Sequence, residues 1–205
     1  MKISHINCRQ CHAPLSLLGN MHRCRHLICQ YCGMVMDSRN EFKALYAFTH
    51  VHSDSSQLRI GMQGNVQGVD FTITAFIIYS SKESEWLQFQ LYSATHGYAK
   101  LLKKDGIYLF LRRTHYLPNH NLWLLKDADT FIAQDKYFCI ESFYFSEIYY
   151  AAGNLIESIK QGQRNKQCFA KSKNHWFQSI HRRDSVENFI GFEMSGKLVE
   201  GLFTI

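Results

Sequence analysis

From Leu58 onward the hydrophobic and polar positions alternate with a period of two. Val66 to Ser80 sets Phe71, Ile73 and Ala75 against Thr72 and Thr74 and is rich in β-branched residues, which predicts a strand. Gly61, Gly64 and Gly68 mark turns or bulges on its approach, and the polar Ser81–Glu85 stretch turns it into a partner over Trp86 to Tyr92. Gly97 and Asp105-Gly106 frame two more strands, Tyr98 to Leu102 and Ile107 to Arg112. After a connection from His115 to Leu125 a second set is expected: Thr130 to Ala133, the aromatic run Tyr137 to Tyr150, then Cys168 to Lys171, Trp176 to His181 and Phe189 to Met194. Asn154 to Lys173 is polar, carries Gly162 and predicts an exposed loop. Short strands at this spacing predict a mainly β fold, a barrel-like or meander body over residues 57–205. Asp135 to Phe143 loosely echoes Gly68 to Phe76, so candidate sub-units at 57–120 and 126–205 follow.

The first third reads differently. Cys8-Arg-Gln-Cys11 and Cys29-Gln-Tyr-Cys32 stand seventeen residues apart, the spacing of a four-thiolate zinc ribbon over residues 1–37. Gly33 suits the left-handed backbone often needed after the second Cys of such a knuckle. The interval from Ala13 to Ile28 is long enough for a hairpin whose second arm, Arg25 to Ile28, delivers Cys29. A disulfide or a redox dithiol would need a secretory signal or a βαβ context, and neither is visible. Cys24, His12, His22 and His26 are spare donors, any of which could replace one thiolate; Cys24 reads best as a packed side chain. One structural Zn²⁺ per chain is expected on Cys8, Cys11, Cys29 and Cys32. Ser38 to Phe48 opens on a capping Ser and continues with acidic and apolar residues at helical spacing, which predicts a short helix. His50 to Ser56 completes a linker over 38–56 in which His50 and His52 could hold a second metal.

Composition narrows the function classes. Fifteen Phe, eleven Tyr and only two Pro among 205 residues favour strands, and the apolar runs are too short for a membrane span. Met1 to His5 leads into no apolar signal segment, so the cytoplasm is the expected compartment and the cysteines are expected reduced. Cys139 and Cys168 then read as buried bystanders. Net charge is +6, but it is graded: +4 over residues 1–40, +2 over 41–125 and zero over 126–205. A zinc ion with four thiolates carries a net minus two, so the loaded ribbon keeps only about +2 and argues against a strongly basic nucleic-acid clamp.

No phosphate loop, nucleophile elbow, His-Glu-x-x-His helix or paired-carboxylate motif is present, so no catalytic residue is assigned. Asp127/Asp129 fits a turn, and His175 and His181 bracket Trp176 without a role that position alone can fix. Two partner readings remain. The first is a non-catalytic binding or adaptor protein presenting aromatic strands to another protein. The second is RNA or single-stranded DNA binding through a surface of Lys103, Lys104, Arg112, Arg113 and Trp176, with Arg182-Arg183 a further basic pair.

The order of these pieces resembles the bacterial family known as domain of unknown function 4178. The similarity rests on Cys8-Arg-Gln-Cys-His-Ala-Pro-Leu, Ile28-Cys-Gln-Tyr-Cys-Gly, Ile60 to Ile73, Trp86 with its strand, Gly97-Tyr98, Asp105-Gly-Ile-Tyr108, Tyr137 to Glu141 and Ala152-Gly-Asn-Leu155. It departs where the family places Trp-Leu and this chain has Lys100-Leu101, and where Asn154-Leu-Ile156 lacks an acid and Pro. The resemblance implies a β-barrel-like cytosolic protein and supplies no reaction.

Overall fold

A computed structural model describes residues 4–49 and 57–204. The ribbon contains β1 (Ser4–Asn7), β2 (Pro14–Leu17), β3 (His26–Ile28), β4 (Met34–Asp37) and β5 (Lys43–Ala47). The body runs through β6 (Gln63–Val66), β7 (Val69–Ser80), β8 (Glu85–Ser93), β9 (Gly97–Lys104) and β10 (Ile107–Thr114), then a single 3₁₀ turn at Leu122–Leu124. It continues with β11 (Thr130–Ala133), β12 (Lys136–Leu155), β13 (Arg164–Ser172), β14 (His175–Arg182), β15 (Ser185–Met194), the helix α1 (Gly196–Leu202) and β16 (Phe203–Thr204). The protein is mainly β, as the alternation predicts. No helix among the described residues is long and apolar enough to cross a membrane.

Two-residue turns with positive φ in both residues build the tight hairpins: Gln67 and Gly68 at 53° and 80°, Asp105 and Gly106 at 50° and 80°. Their twist matches that of the flanking strands, and the glycine accepts the left-handed backbone at no steric cost. Pairing runs antiparallel from β7 through β8, β9, β10, β15, β14 and β13 to β12. Because β12 also pairs with β7, over Ile148–Gly153 against Tyr79–Ala75, the path returns to its start. The wall is nevertheless interrupted. On the edge facing β7, β12 pairs with β11 up to Cys139 and with β7 only from Ile148. Between those points, from Glu141 to Glu147, that edge has no strand partner among the described residues. Register shifts at Thr74, Glu141 and Tyr149 are the bulges that curve β7 and β12.

The strand sites named from the sequence are filled by strands, with two differences. Ser38 to Phe48 is not a helix: residues 38–42 form turns and Lys43–Ala47 is β5, paired with β4. Glu41 and Phe42 stand at φ of 46° and 55°, which no right-handed helix admits, and the β4 edge supplies the hydrogen-bond partners that helix propensity would have supplied locally. The loop expected over 154–173 is confined to 156–163, because β13 begins at Arg164. The linker read at 50–56, with His50 and His52, lies outside the described residues.

One face of the curved sheet turns inward and is unusually polar. Trp86 stacks on Tyr79 with centroids 5.6 Å apart and meets the edge of Phe169, forming an aromatic plug. Beyond it lies a charge cluster: Arg182 bonds both Glu157 and Glu187, Lys100 Nζ is 3.5 Å from Glu157, and Arg113 is 3.6 Å from Glu187. Lys100 also sits 3.8 Å above the Phe189 ring. Burial alone would raise the Glu157 carboxyl, but Lys100 and Arg182 hold it below the usual carboxylate range; burial lowers Lys100 against the pull of Glu157. Side chains of Lys100, Arg182 and Glu157 are only 8%, 12% and 15% exposed, so removing one partner strands the others in a poor solvent. Glu157→Ala is expected to cost about 3–5 kcal/mol in urea denaturation, and Lys100→Met combined with Glu157→Gln should recover part of that loss. A surface-like cost under about 1 kcal/mol for Glu157→Ala would mean the cluster is solvated.

Candidate metal centre and wall cleft

Each Cys-x-x-Cys pair is the turn of its own hairpin. Cys8–Cys11 joins β1 to β2 and Cys29–Cys32 joins β3 to β4, closed by Cys8 N to Ala13 O at 2.9 Å and Cys29 N to Met34 O at 2.9 Å. The expectation of a hairpin between the pairs is therefore replaced, since β2 pairs with β1 and β3 with β4. His12 and Gly33, each directly after a second Cys, adopt φ of 59° and 72°, which turns the backbone so that both sulfurs of a knuckle face the same point.

The four sulfurs lie within 4.8 Å of one another. Cys8 and Cys32 sulfurs are 3.6 Å apart, as are those of Cys11 and Cys29. A tetrahedral ion with metal–sulfur bonds of about 2.3 Å requires edges of about 3.8 Å, whereas a disulfide requires about 2.05 Å. Protonation argues the same way. A backbone hydrogen bond at Ala13 lowers the Cys11 thiol to about 7, while burial pushes Cys29 and Cys32 upward. Four bare thiolates would not coexist there, and a bound cation supplies the charge that removes their protons. The residues thus fit a metal ion. Cys24 stands apart, its sulfur 3.4 Å from His26 O and its thiol raised by burial to about 11. His26 is engaged elsewhere, accepting Ile159 N–H at Nδ1 over 3.3 Å, and burial lowers its pKa, which favours the neutral ring that can accept.

The metal site is wired to the body. Strand β3 pairs with β12 over Gly153–Leu155, Arg25 N–H donates to Leu155 O at 2.7 Å, Asn154 Nδ2 donates to Ser16 O at 3.0 Å, and Tyr98 Oη accepts Asn20 N–H at 2.9 Å.

The five residues expected to form one partner surface are not brought together. Adjacent strand residues point to opposite faces, which works against a neighbouring basic pair sharing one surface. Lys103 lies over Tyr108 at 5.5 Å, while Lys104 bonds Asp105 and lies over Tyr144 at 4.5 Å. Arg112 and Arg113 are both exposed, and Arg113, with 54% of its side chain in solvent, reaches the rim of the inner charge cluster 3.6 Å from Glu187. Trp176 is 9% exposed and donates Nε1–H to Glu193 at 3.2 Å. Arg182 and Arg183 divide, one inward to its two glutamates and one exposed. Asp129 serves the turn, accepting Lys126 N–H at 2.8 Å. Cys168 is buried, as expected; Cys139 is half-buried, its sulfur 3.6 Å from Ala128 O.

A different group converges instead. A cleft of about 1120 Å³ opens where the wall is interrupted, between the β7–β8 turn at Ser80–Glu83 and the stretch Phe143–Glu147 of β12, and extends over Arg164–Lys166 and His181–Arg183. Register aligns Phe145, Lys166, His181 and Val186 in one cross-strand row. Trp123, from the connection before β11, covers that row: its Nε1–H points at the His181 ring, with centroids 4.6 Å apart at 78°. Lys166 Nζ is 5.7 Å from the Trp123 ring and 5.5 Å from that of Phe145. Burial, and then Lys166, lowers the His181 pKa, so this ring is neutral near pH 7. The sequence marks none of these residues as partners, because Trp123 and His181 meet across 58 positions and only the register shows it.

No known family model, no curated protein and no solved structure matches this chain.

Purified protein is expected to carry one equivalent of transition metal per chain by elemental analysis, and Cys29→Ser to lose most of it. Less than about half an equivalent with all four thiols titratable and reduced would overturn the metal assignment.

Proposed function

We propose that the protein is a non-catalytic cytoplasmic binding or adaptor protein, with one structural zinc on Cys8, Cys11, Cys29 and Cys32 and its working surface at the wall cleft. Zinc is the choice for a tetrahedral set of four thiolates, a donor set that leaves no position open for substrate. The ion then serves as a clip that holds a hairpin pair too small to fold alone. The observation that carries the binding role is Phe145, which lines the cleft beside the half-buried Trp123 with 73% of its surface exposed, while Leu124, next to Trp123 in the chain and outside the cleft lining, is 80% exposed. Large apolar side chains left clustered in solvent mark interaction sites more often than isolated ones do. The family resemblance read from the strand-and-turn pattern is matched by no family model and adds no activity to this reading.

The first partner class is another protein, anchored on Phe145 and Leu124. The second is single-stranded RNA or DNA, favoured by Lys166 poised between two rings and by the neighbouring Arg164 and Arg183. One experiment separates them: capture on immobilised protein from lysate with and without nuclease, repeated with Phe145→Asp and Leu124→Asp. A protein partner predicts a defined chain that resists nuclease and is lost with either substitution. Material that vanishes with nuclease supports the second class, and capture indifferent to both substitutions removes the cleft from the account. Zinc, and not iron or copper, should be the metal found in the same preparation.

A further inference from the structure

We infer that the wall cleft binds a short single-stranded stretch bearing nucleotide phosphates, with Phe145 and Trp123 stacking bases, Lys166, Arg164 and Arg183 contacting phosphates, and Asn165 reading a base edge. This rests on the second partner class above and gives it a site and a selectivity.

Three observations converge. The first is charge. Arg182 is spent on Glu157 and Glu187, but Lys82, Arg164, Lys166 and Arg183 also line the cleft against only Glu83 and Glu147, four cations to two anions. Zero net charge over residues 126–205 hides this, because the acids of that segment lie largely elsewhere while three of its basic residues gather at the start of β13 and the end of β14. The second is the alternation of cation and ring: Lys166 lies within 6 Å of both Trp123 and Phe145, and Phe145 leaves a face open to solvent. Rings of this kind accept any base, whereas a bare phosphate site has no use for them.

The third is Asn165. It is 2% exposed and lines the same cleft, yet neither its Nδ2 nor its Oδ1 has a hydrogen-bond partner. A buried amide with both ends unsatisfied is costly, and a core position would be better served by an apolar residue of its size. An adjacent donor and acceptor is the pattern that matches adenine N7 and N6. Other buried polar side chains also leave an atom unpartnered, but Asn165 leaves both ends of its amide so, whereas Gln167 two positions on donates to Ser146 at 3.0 Å and accepts from Gln178 at 2.9 Å. The cleft volume of about 1120 Å³, at the upper end of the range of roughly 300–1000 Å³ typical of small-ligand sites, leaves room for more than one nucleotide.

The test is fluorescence anisotropy of the full chain with labelled short oligoadenylate and oligouridylate, with adenosine monophosphate and inorganic phosphate as competitors, at low and moderate salt. Oligoadenylate should bind more tightly than oligouridylate, and phosphate should compete poorly. Phe145→Ala, at an exposed position that does not threaten folding, should weaken binding on the order of tenfold. Lys166→Ala should weaken it for both oligonucleotides alike and lower the salt slope by about one. Asn165→Leu should abolish the adenine preference while leaving the melting temperature unchanged or higher, an outcome that a purely structural amide would not give. Binding that is indifferent to Phe145→Ala, Lys166→Ala and Asn165→Leu would place nucleic acid elsewhere on the protein, overturning this site while the broader nucleic-acid reading stands. Competition by inorganic phosphate equal to that by nucleotides would reduce the cleft to an anion patch. No binding at low salt would remove both readings.

Discussion

Strand β12 carries an unusual obligation, since the hydrogen bonds of both its edges have to be met along twenty residues by four different neighbours. Its first half is held by β11 and β13, and its second half by β7 on one side and β3 on the other. The crossing point is Gly153, which pairs with Ala75 and with Ile28 at the same time. A Cβ there would stand 2.3 Å from Thr74 O and 2.7 Å from Ala75 Cα, and φ is 92°, so only glycine permits this approach. Everything from Tyr150 to Leu155 is buried as a consequence, which is why the strand changes from alternating residues to the run Tyr-Ala-Ala-Gly-Asn-Leu. The pairing path of the body returns to its start through this strand, and the ribbon is joined to the body through it.

The same geometry explains the cleft and the inner charges. A strand that changes partners cannot keep both edges occupied throughout, and the interval from Glu141 to Glu147 is where one edge goes without. Around that gap the inner and outer faces come within reach of one opening, bringing aromatic and basic residues of the outside near the buried Asn165. The charge cluster of Lys100, Arg113, Glu157, Arg182 and Glu187 draws on β9, β10, β14, β15 and the loop after β12, so it ties the two sets of strands together with ionic bonds as well as ladders. Such clusters trade stability for a specified arrangement, because an apolar core of the same volume would be at least as stable.

What could be read from the sequence was local. Cys8, Cys11, Cys29 and Cys32 announce themselves because each pair is three residues apart and its chemistry is decided within one turn. Strands β7 to β10 are equally legible, as period-two alternation and turns such as Asp105-Gly106 lie within a few residues of the hydrogen bonds they produce. Lys43–Ala47 was opaque for the converse reason: Glu41, Ala44 and Leu45 have helical preferences of a few tenths of a kcal/mol each, and pairing to β4 outweighs them. Arg164 to Gln167 looked like loop because all four residues are polar, although Asn165 and Gln167 are buried and Gln167 finds in Ser146 and Gln178 partners that only the register supplies. Adjacent basic residues looked like one surface, yet Lys103 and Lys104 lie over different rings, and Arg182 is spent on two glutamates while Arg183 is exposed. The meeting of Trp123 with His181, and of Glu157 with Lys100, had no trace in the sequence because nothing local encodes which distant strand lies alongside.

The central claim is that the four-cysteine ribbon and the β body form one hydrogen-bonded structure through the β3–β12 seam. Hydrogen exchange followed by mass spectrometry, on the full chain with and without a strong chelator, tests it most directly. Metal removal should accelerate exchange in His26–Ile28 and Met34–Asp37 and also across Gly153–Leu155 of β12, while β13 and β14 keep their protection. Faster exchange restricted to the ribbon, with Gly153–Leu155 unchanged, would contradict the claim and make the ribbon a separable appendage.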